Sequence, residues 1–245
     1  MSLVLPALPA GCRLVALGAV GSTNDEARVL AAAGAPDRTF VWAREQTSGR
    51  GRRGAAWTSP PGNLYVSAIL RPRVPPSRAM QLSFVVAVAM AEAIARASGI
   101  ALTLKWPNDL LLDGRKTAGI LLESAGTGAT LDWLVAGTGV NLASHPEDLP
   151  TATHLGADIA PERLLPLYAG ALVSWVDRWT ADGFAPVRAA WLARASGLGG
   201  PIVVRLPDSE LAGTFADLDE TGALVLDAPG GRRTVTAGEV FAAAA

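Results

Sequence analysis

Cysteine and histidine are nearly missing from this chain. With Cys12 alone no internal disulfide can form, and with just His145 and His154 there is no Cys/His zinc pattern and little support for a Ser/His/Asp triad. Cys12 fits a reducing, cytoplasmic compartment and reads as a small buried apolar residue, while the two histidines fall in a polar, loop-like stretch and read as surface residues. An excess of one charge is also lacking. The 21 Lys and Arg against 22 Asp and Glu leave a formal net charge of -1, which argues against general attraction to nucleic acid or anionic lipid. Phe84 to Ala91 is the longest apolar run and ends at Glu92, short of the roughly 20 residues that cross a bilayer. The start, Met1 to Ala10, has no basic residue and is broken by Pro6 and Pro9, unlike a secretory signal.

What is present is a soluble, globular composition. At 245 residues, 50% hydrophobic and 18% charged, the chain can bury one sizeable core and carry a smaller module. Arg13 to Leu17 reads as a strand, and Thr23 followed by Glu26 reads as a capping box opening a helix that stops at Gly34. Strands are expected over Thr39–Arg44 and Asn63–Arg71, then a long helix over Arg78–Ser98 that is apolar nearly all round and therefore central. Leu102–Lys105, Leu110–Leu112, Ala118–Glu123 and Leu131–Val140 follow as strands, with Asp113-Gly114 marking a hairpin turn. Helices are expected over Glu162–Ala181, with Pro166 as an alternative start, and over Ala185–Ala195. After Leu198–Gly200, four or five short strands read as a small β-barrel of about 45 residues. The fold class is therefore α+β, with a mixed, largely antiparallel sheet, flanking helices and a C-terminal barrel. The expected domains are 1–197 and 198–245.

The chemistry gathers in loops. Gly49-Arg50-Gly51-Arg52-Arg53-Gly54 sets three guanidinium groups on a backbone loosened by glycine, inside a loop of about 18 residues that has no periodicity. Such a loop can close over an anion, but alone it also fits a solvated surface loop or a nucleic-acid-binding tail. Ser22-Thr23-Asn24 sits where strand becomes helix, either as a plain N-cap or as a set of polar groups facing a ligand beside free backbone N–H groups. Lys105-Trp106-Pro107-Asn108-Asp109 and Lys116-Thr117-Ala118-Gly119 lie near one end of the meander. No protein nucleophile stands out, so these groups fit displacement at phosphorus, with Lys and Arg stabilising developing charge and Asp109 a candidate magnesium ligand.

Taken together in order and spacing, five segments resemble biotin protein ligases: Ser22 to Asn24; Gln46 with Gly49 to Gly54; Lys105 to Asp109; Lys116 to Leu121; and Gly137 to Asn141. The resemblance runs over about residues 13–245, including the barrel. It implies a class II synthetase-like catalytic domain with an SH3-like barrel. The implied reaction joins biotin to ATP as biotinyl-5'-adenylate, then passes biotin to a lysine of a biotin carboxyl carrier protein. It further implies that Ser22, Thr23, Asn24, Gln46 and Gly119 line the biotin pocket. Gly49, Arg50, Gly51, Arg52, Trp57, Lys105, Asn108, Lys116 and Asn141 would bind ATP or the adenylate. Lys116, Arg50, Arg52 and Asp109 would be the catalytic set. Trp57 reads equally as a wall of the nucleotide side or as an ordinary core aromatic.

Thr117 stands where the family often has an apolar residue, facing away from the lysine, and is expected to be tolerated. About a dozen residues precede the first strand, where repressor-type members carry a winged helix-turn-helix, so DNA binding is not expected. The segment His145–Leu155 matches a loop that orders over the adenosine. Homodimerisation through a sheet edge is left open. Two other readings stay in view. A lipoyl- or octanoyl-transferring relative would need a cysteine in the pocket, and a non-catalytic biotin sensor or RNA-binding module would release no pyrophosphate.

Overall fold

A computed structural model describes residues 5–156 and 159–242. The outer limits of both expected domains, 1 and 245, lie outside the described residues. Among the described residues twelve strands form two sheets, with four α-helices between and beside them. The larger sheet has seven strands: β1 (Arg13–Val20), β2 (Thr39–Gln46), β3 (Leu64–Leu70), β4 (Thr103–Lys105), β5 (Asp109–Leu112), β6 (Arg115–Ala125) and β7 (Trp133–Val140). Their order is β1-β2-β3-β7-β6-β5-β4. β1 and β2 run parallel, joined by helix α1 (Thr23–Ala32), and every other pairing is antiparallel, so the sheet is mixed as expected. In the β5–β6 hairpin Asp113 (φ 49°) and Gly114 (φ 77°) both take positive φ, the condition for a type I′ turn whose twist matches the strands.

Helix α2 (Gln81–Ser98) is buried on nearly every side, with Leu82, Phe84, Val85, Val86, Val88, Met90 and Ile94 at 1% exposure or less. Each such side chain contributes about 1.5–3 kcal/mol against about 0–1 for an exposed ion pair, so this helix rather than surface charge holds the domain together. The stretch Pro76–Ser98 is long and apolar enough to cross a bilayer by length and composition, but 67% of its most apolar window is buried inside the protein.

Helix α3 (Pro161–Asp182) packs on α2 and is followed by α4 (Ala185–Leu192). α3 begins at Pro161, where a missing N–H costs no helical bond, and it carries Pro166 within it, so Pro166 is not the helix start.

The smaller sheet is antiparallel, in the order β11-β10-β9-β8-β12, from β8 (Pro201–Arg205), β9 (Glu210–Leu218), β10 (Leu224–Ala228), β11 (Gly231–Val235) and β12 (Glu239–Ala242). It is fastened to the larger unit by polar bonds at an apolar seam. Trp106 Nε1 donates to Gly222 O at 3.1 Å, Gln81 Nε2 to Glu220 O at 3.0 Å, and Arg188 Nε to Leu218 O at 2.7 Å. Lys105 Nζ lies 5.1 Å from the Phe241 ring, a cation–π contact across the same seam. This β domain therefore leans on the β4–β5 segment that faces the site.

Candidate active site

One cavity of about 380 Å³ opens at the ends of β2, β5, β6 and β7. Every expected site residue except Gly49 lines it: Ser22, Thr23, Asn24, Gln46, Arg50, Gly51, Arg52, Trp57, Lys105, Asn108, Asp109, Lys116, Gly119 and Asn141. Five of the lining residues are basic and two acidic, Asp109 and Glu239, so the cavity favours an anion although the chain as a whole is balanced.

The polar end is built where β1 runs into α1. Ser22 is the N-cap with an extended backbone (φ -155°, ψ 135°), and no side-chain cap bond forms at this helix start. The expected Thr23–Glu26 capping box is therefore absent. Thr23 lies one residue inside the helix, and its backbone N (2.8 Å) and Oγ1 (3.1 Å) both donate to Gln46 Oε1. Gln46 Nε2 in turn donates to Ser59 Oγ at 2.9 Å. Asn24 Nδ2 donates to Glu123 Oε2 at 2.8 Å, and its Oδ1 lies 2.6 Å from Ser67 Oγ. Ser22, Thr23 and Asn24 are each under 5% exposed, so these pairings fix the amide and hydroxyl directions before any ligand arrives.

The floor is made by what glycine leaves out. A Cβ on Gly137 of β7 would lie 2.1 Å from Asn24 Oδ1, and one on Gly139 would lie 2.4 Å from Trp57 Nε1. Trp57 thus rests on the strand backbone and lines the cavity. Its Nε1 is buried without a protein partner. Gly49 lies just behind the wall, where its own missing Cβ leaves room for Trp57 O at 2.5 Å and Ser59 Oγ at 2.6 Å.

The charged end comes from the β5–β6 hairpin. The register shifts at Leu110/Leu111, so that Leu111 pairs with Lys116 and Leu110 with Ala118. The extra residue is Thr117, fully buried, with Oγ1 donating to Asn141 O at 3.2 Å. The bulge sends Lys116 into the cavity while Thr117 faces the opposite side, as expected of that residue. Lys116 Nζ is 2.7 Å from Asp109 Oδ1, a close ion pair whose angles are not those of a hydrogen bond, and 5.4 Å from the Trp57 ring centroid. The Lys116 backbone is held from outside the hairpin: its N donates to Thr151 O and Thr153 N donates to its carbonyl, each at 2.8 Å. Asn141 Nδ2 pins the same segment by donating to Thr153 O at 3.0 Å, and Pro146, Leu149 and Thr151 from it line the cavity.

The two loop arginines diverge. Arg52 is half-buried and Nη1 donates to Asn108 Oδ1 at 3.2 Å; burial first, and Arg53 next, weaken its hold on the proton, while Asp109 and Glu239 oppose them. A guanidinium stays charged against such a pull. Arg50 instead gives both terminal nitrogens to Asp25, at 2.6 and 2.7 Å.

Asp109 lies beside Lys116, and no group of three or more His, Cys, Asp or Glu converges among the described residues. Two expectations need correction. His145 and His154 are not separate surface residues. Their rings stack with centroids 4.9 Å apart, and the Nδ1 atoms lie 2.7 Å apart, so one Nδ1 carries hydrogen and the other accepts it. Cys12 is half-buried, its thiol pushed up chiefly by burial, and it does not line the cavity.

Residues that the motifs did not reveal are Asp25, Arg28, Glu123, Ser67, Ser59, Gly238 and Glu239. Asp25 and Arg28 follow Ser-Thr-Asn on α1, Ser59 follows Trp57 and Glu123 follows Leu121 within a few residues, whereas Ser67, Gly238 and Glu239 reach the site from segments outside the motifs.

The site is thus an anion-favouring cavity on a mixed sheet, with a β domain against its rim. Residues 20–141 match the model of the Biotin/lipoate A/B protein ligase family, and residues 197–242 match that of the Biotin protein ligase C terminal domain. The chain is 45% identical to the biotin--[acetyl-CoA-carboxylase] ligase of Paracoccus denitrificans, over 92% of this chain and 98% of that protein. It is 32% identical to the bifunctional ligase/repressor BirA of Bacillus subtilis, over 94% of this chain and 74% of that protein. The biotin protein ligase of Aquifex aeolicus, solved with biotin and ATP, superposes with a TM-score of 0.81 at 26% identity, covering 94% of this chain and 97% of that one. This chain belongs to the biotin protein ligase family.

Proposed function

We propose that the protein is an ATP-dependent biotin protein ligase. In the first step a biotin carboxylate oxygen bonds to the α-phosphorus of ATP and the bond to pyrophosphate breaks, giving biotinyl-5'-adenylate. In the second, the neutral ε-amine of a lysine on a biotin carboxyl carrier protein attacks the acyl carbon. AMP leaves, and the amine gives up a proton. The observation that carries this reading is the meeting of Lys116 and Arg52 with the Ser22–Asn24 and Gln46 groups in one cavity of about 380 Å³.

On this reading Ser22, Thr23, Asn24 and Gln46 face the ureido ring, and their directions, fixed in advance by bonds to Ser59, Ser67 and Glu123, select a ligand with matching donors and acceptors. Lys116 lies by the carboxylate and α-phosphate and balances the charge that forms on attack. Arg52 faces the phosphate from above, Trp57 walls the nucleotide side, and Lys105, Asn108 and Asn141 complete the adenylate side. Magnesium comes with the ATP phosphates, and Asp109 is the candidate protein ligand for it. The catalytic unit spans 1–197 and the C-terminal unit 198–245, the latter adding Gly238 and Glu239 to the cavity rim. We place the protein in the cytoplasm, where ATP and carrier are available. No cysteine lines the cavity, which weighs against the octanoyl-transferring alternative.

The test is incubation with biotin, ATP, magnesium and a carrier domain. The expected products are pyrophosphate, AMP and a biotinylated lysine. Biotin binding without pyrophosphate would leave a sensor, and no biotin binding at all removes the reading.

A further inference from the structure

Arg50 and Arg52 stand two residues apart in one loop, yet their forks are committed differently, both terminal nitrogens of Arg50 to Asp25 and one of Arg52 to Asn108. Both terminal nitrogens of Arg50 face the carboxylate of Asp25 on α1 in a bidentate pair, the geometry that fixes a planar fork in one direction. Arg28 reaches Asp25 at 3.4 Å and Glu123 at 3.2 Å, while Glu123 also holds Asn24 Nδ2 at 2.8 Å. The pair therefore belongs to a compact cluster that joins the loop, α1 and β6 beside an amide of the polar end. The base of the loop is tied by backbone bonds, Thr47 N to Val20 O and Ser48 N to Gly21 O, each at 2.8 Å. Beyond that base, among the described residues, the side-chain hydrogen bonds from 49–58 to the body of the domain come from Arg50, to Asp25, and Arg52, to Asn108.

We propose that Asp25 is the keeper of a latch, its ion pair with Arg50 holding the arginine loop shut over the cavity so that Arg52 is the loop's anion-facing group. The claim deepens the ligase reading and rests on it for the identity of the anion. Asp25 and Arg50 are thus positioning residues, not catalytic ones. Exposure suits the task, because side chains at 41% and 35% exposure make a pair that solvent screens and thermal motion can break. A deeply buried pair would lock the cavity against substrate entry and product release. Arg50 also lowers the pKa of Asp25, chiefly through this hydrogen bond, so the carboxylate is charged across the neutral range.

Two readouts test the latch. Trypsin acting on the ligand-free full chain reports loop opening at Arg52 and Arg53. Asp25→Asn is expected to raise the cleavage rate there roughly two- to fivefold, the factor an exposed ion pair supplies. Arg28→Gln, which removes the neighbouring cation but leaves Arg50 paired, is expected to cleave close to the wild-type rate. In the second readout, preformed biotinyl-5'-adenylate should leave Asp25→Asn faster by a similar factor, and Asp25→Arg combined with Arg50→Asp should recover retention.

Wild-type cleavage and retention in Asp25→Asn would overturn the latch, and so would an Arg28→Gln effect as large as that of Asp25→Asn. A wild-type protein that makes no adenylate overturns the ligase reading instead, while the trypsin readout still decides the latch.

Discussion

The strands beneath the cavity carry glycine where the loop above carries arginine, and the two regions hold their shape by different means. Gly137 and Gly139 lie in paired strands, with Asn24 and Trp57 set down on bare backbone. Nothing there can move without disturbing the sheet. The tip of the loop, 50–54, is tied to the body by two arginine contacts, Arg50 with Asp25 and Arg52 with Asn108, that can be exchanged for water or ligand. The lesson is a division of labour in which the floor sets which molecule fits and the loop sets how long an activated product stays. Interior packing tolerates little change, whereas exposed ion pairs contribute modestly and reversibly.

Lys116→Ala removes the cation beside Asp109 at the end of the floor and is expected to slow adenylate formation by about 10²- to 10³-fold, read as pyrophosphate release. Near-normal rates would move Lys116 out of its assigned place. Gly137→Ala sets a methyl against Asn24 Oδ1, and at roughly 1–3 kcal/mol of overpacking should weaken biotin binding about 5- to 150-fold by calorimetry. If retention fell while biotin affinity held, floor and loop would not be separable.

Arg52→Gly should leave biotin affinity nearly intact and speed adenylate release about tenfold or more, since a charged donor over the phosphate is worth roughly 1.5–3 kcal/mol. The smallest effect is the acid response of Asp25. Its folded pKa lies below the usual value near 3.9, so the pair's contribution is complete above that value and is lost as pH falls through the lowered one. The difference in adenylate release between wild type and Asp25→Asn should therefore be constant above about pH 5 and close below it. A difference that instead changes near neutrality would assign the response to another group.

Much of this arrangement could be read before any coordinates, and what escaped has a common cause. Asp113-Gly114 announced its hairpin because the turn chemistry is local, and α2 announced its burial through an apolar surface on all sides. Gly49 to Gly54 and Lys116 pointed to an anion through residue type alone. The bulge at Thr117 left no local mark, although it is what turns Lys116 inward. Thr23 looked like a cap because a Thr followed by Glu three residues on favours one, but Gln46, 23 residues away, takes its hydroxyl and backbone N–H. Asn24 and Glu123 are 99 positions apart, and the His145–His154 pair depends on a loop folding back on itself. Local preference is legible in sequence, while a polar group's choice among distant partners is settled by tertiary packing.

The most direct measurement is a crystal structure of this chain grown with biotin and ATP. The account predicts one continuous ligand in the cavity, its ring end against Ser22, Thr23 and Gln46 and its phosphate between Lys116 and Arg52, with Arg50 still on Asp25. Ligand bound elsewhere, or Lys116 and Arg52 turned away from a ligand bound in the cavity, would contradict it.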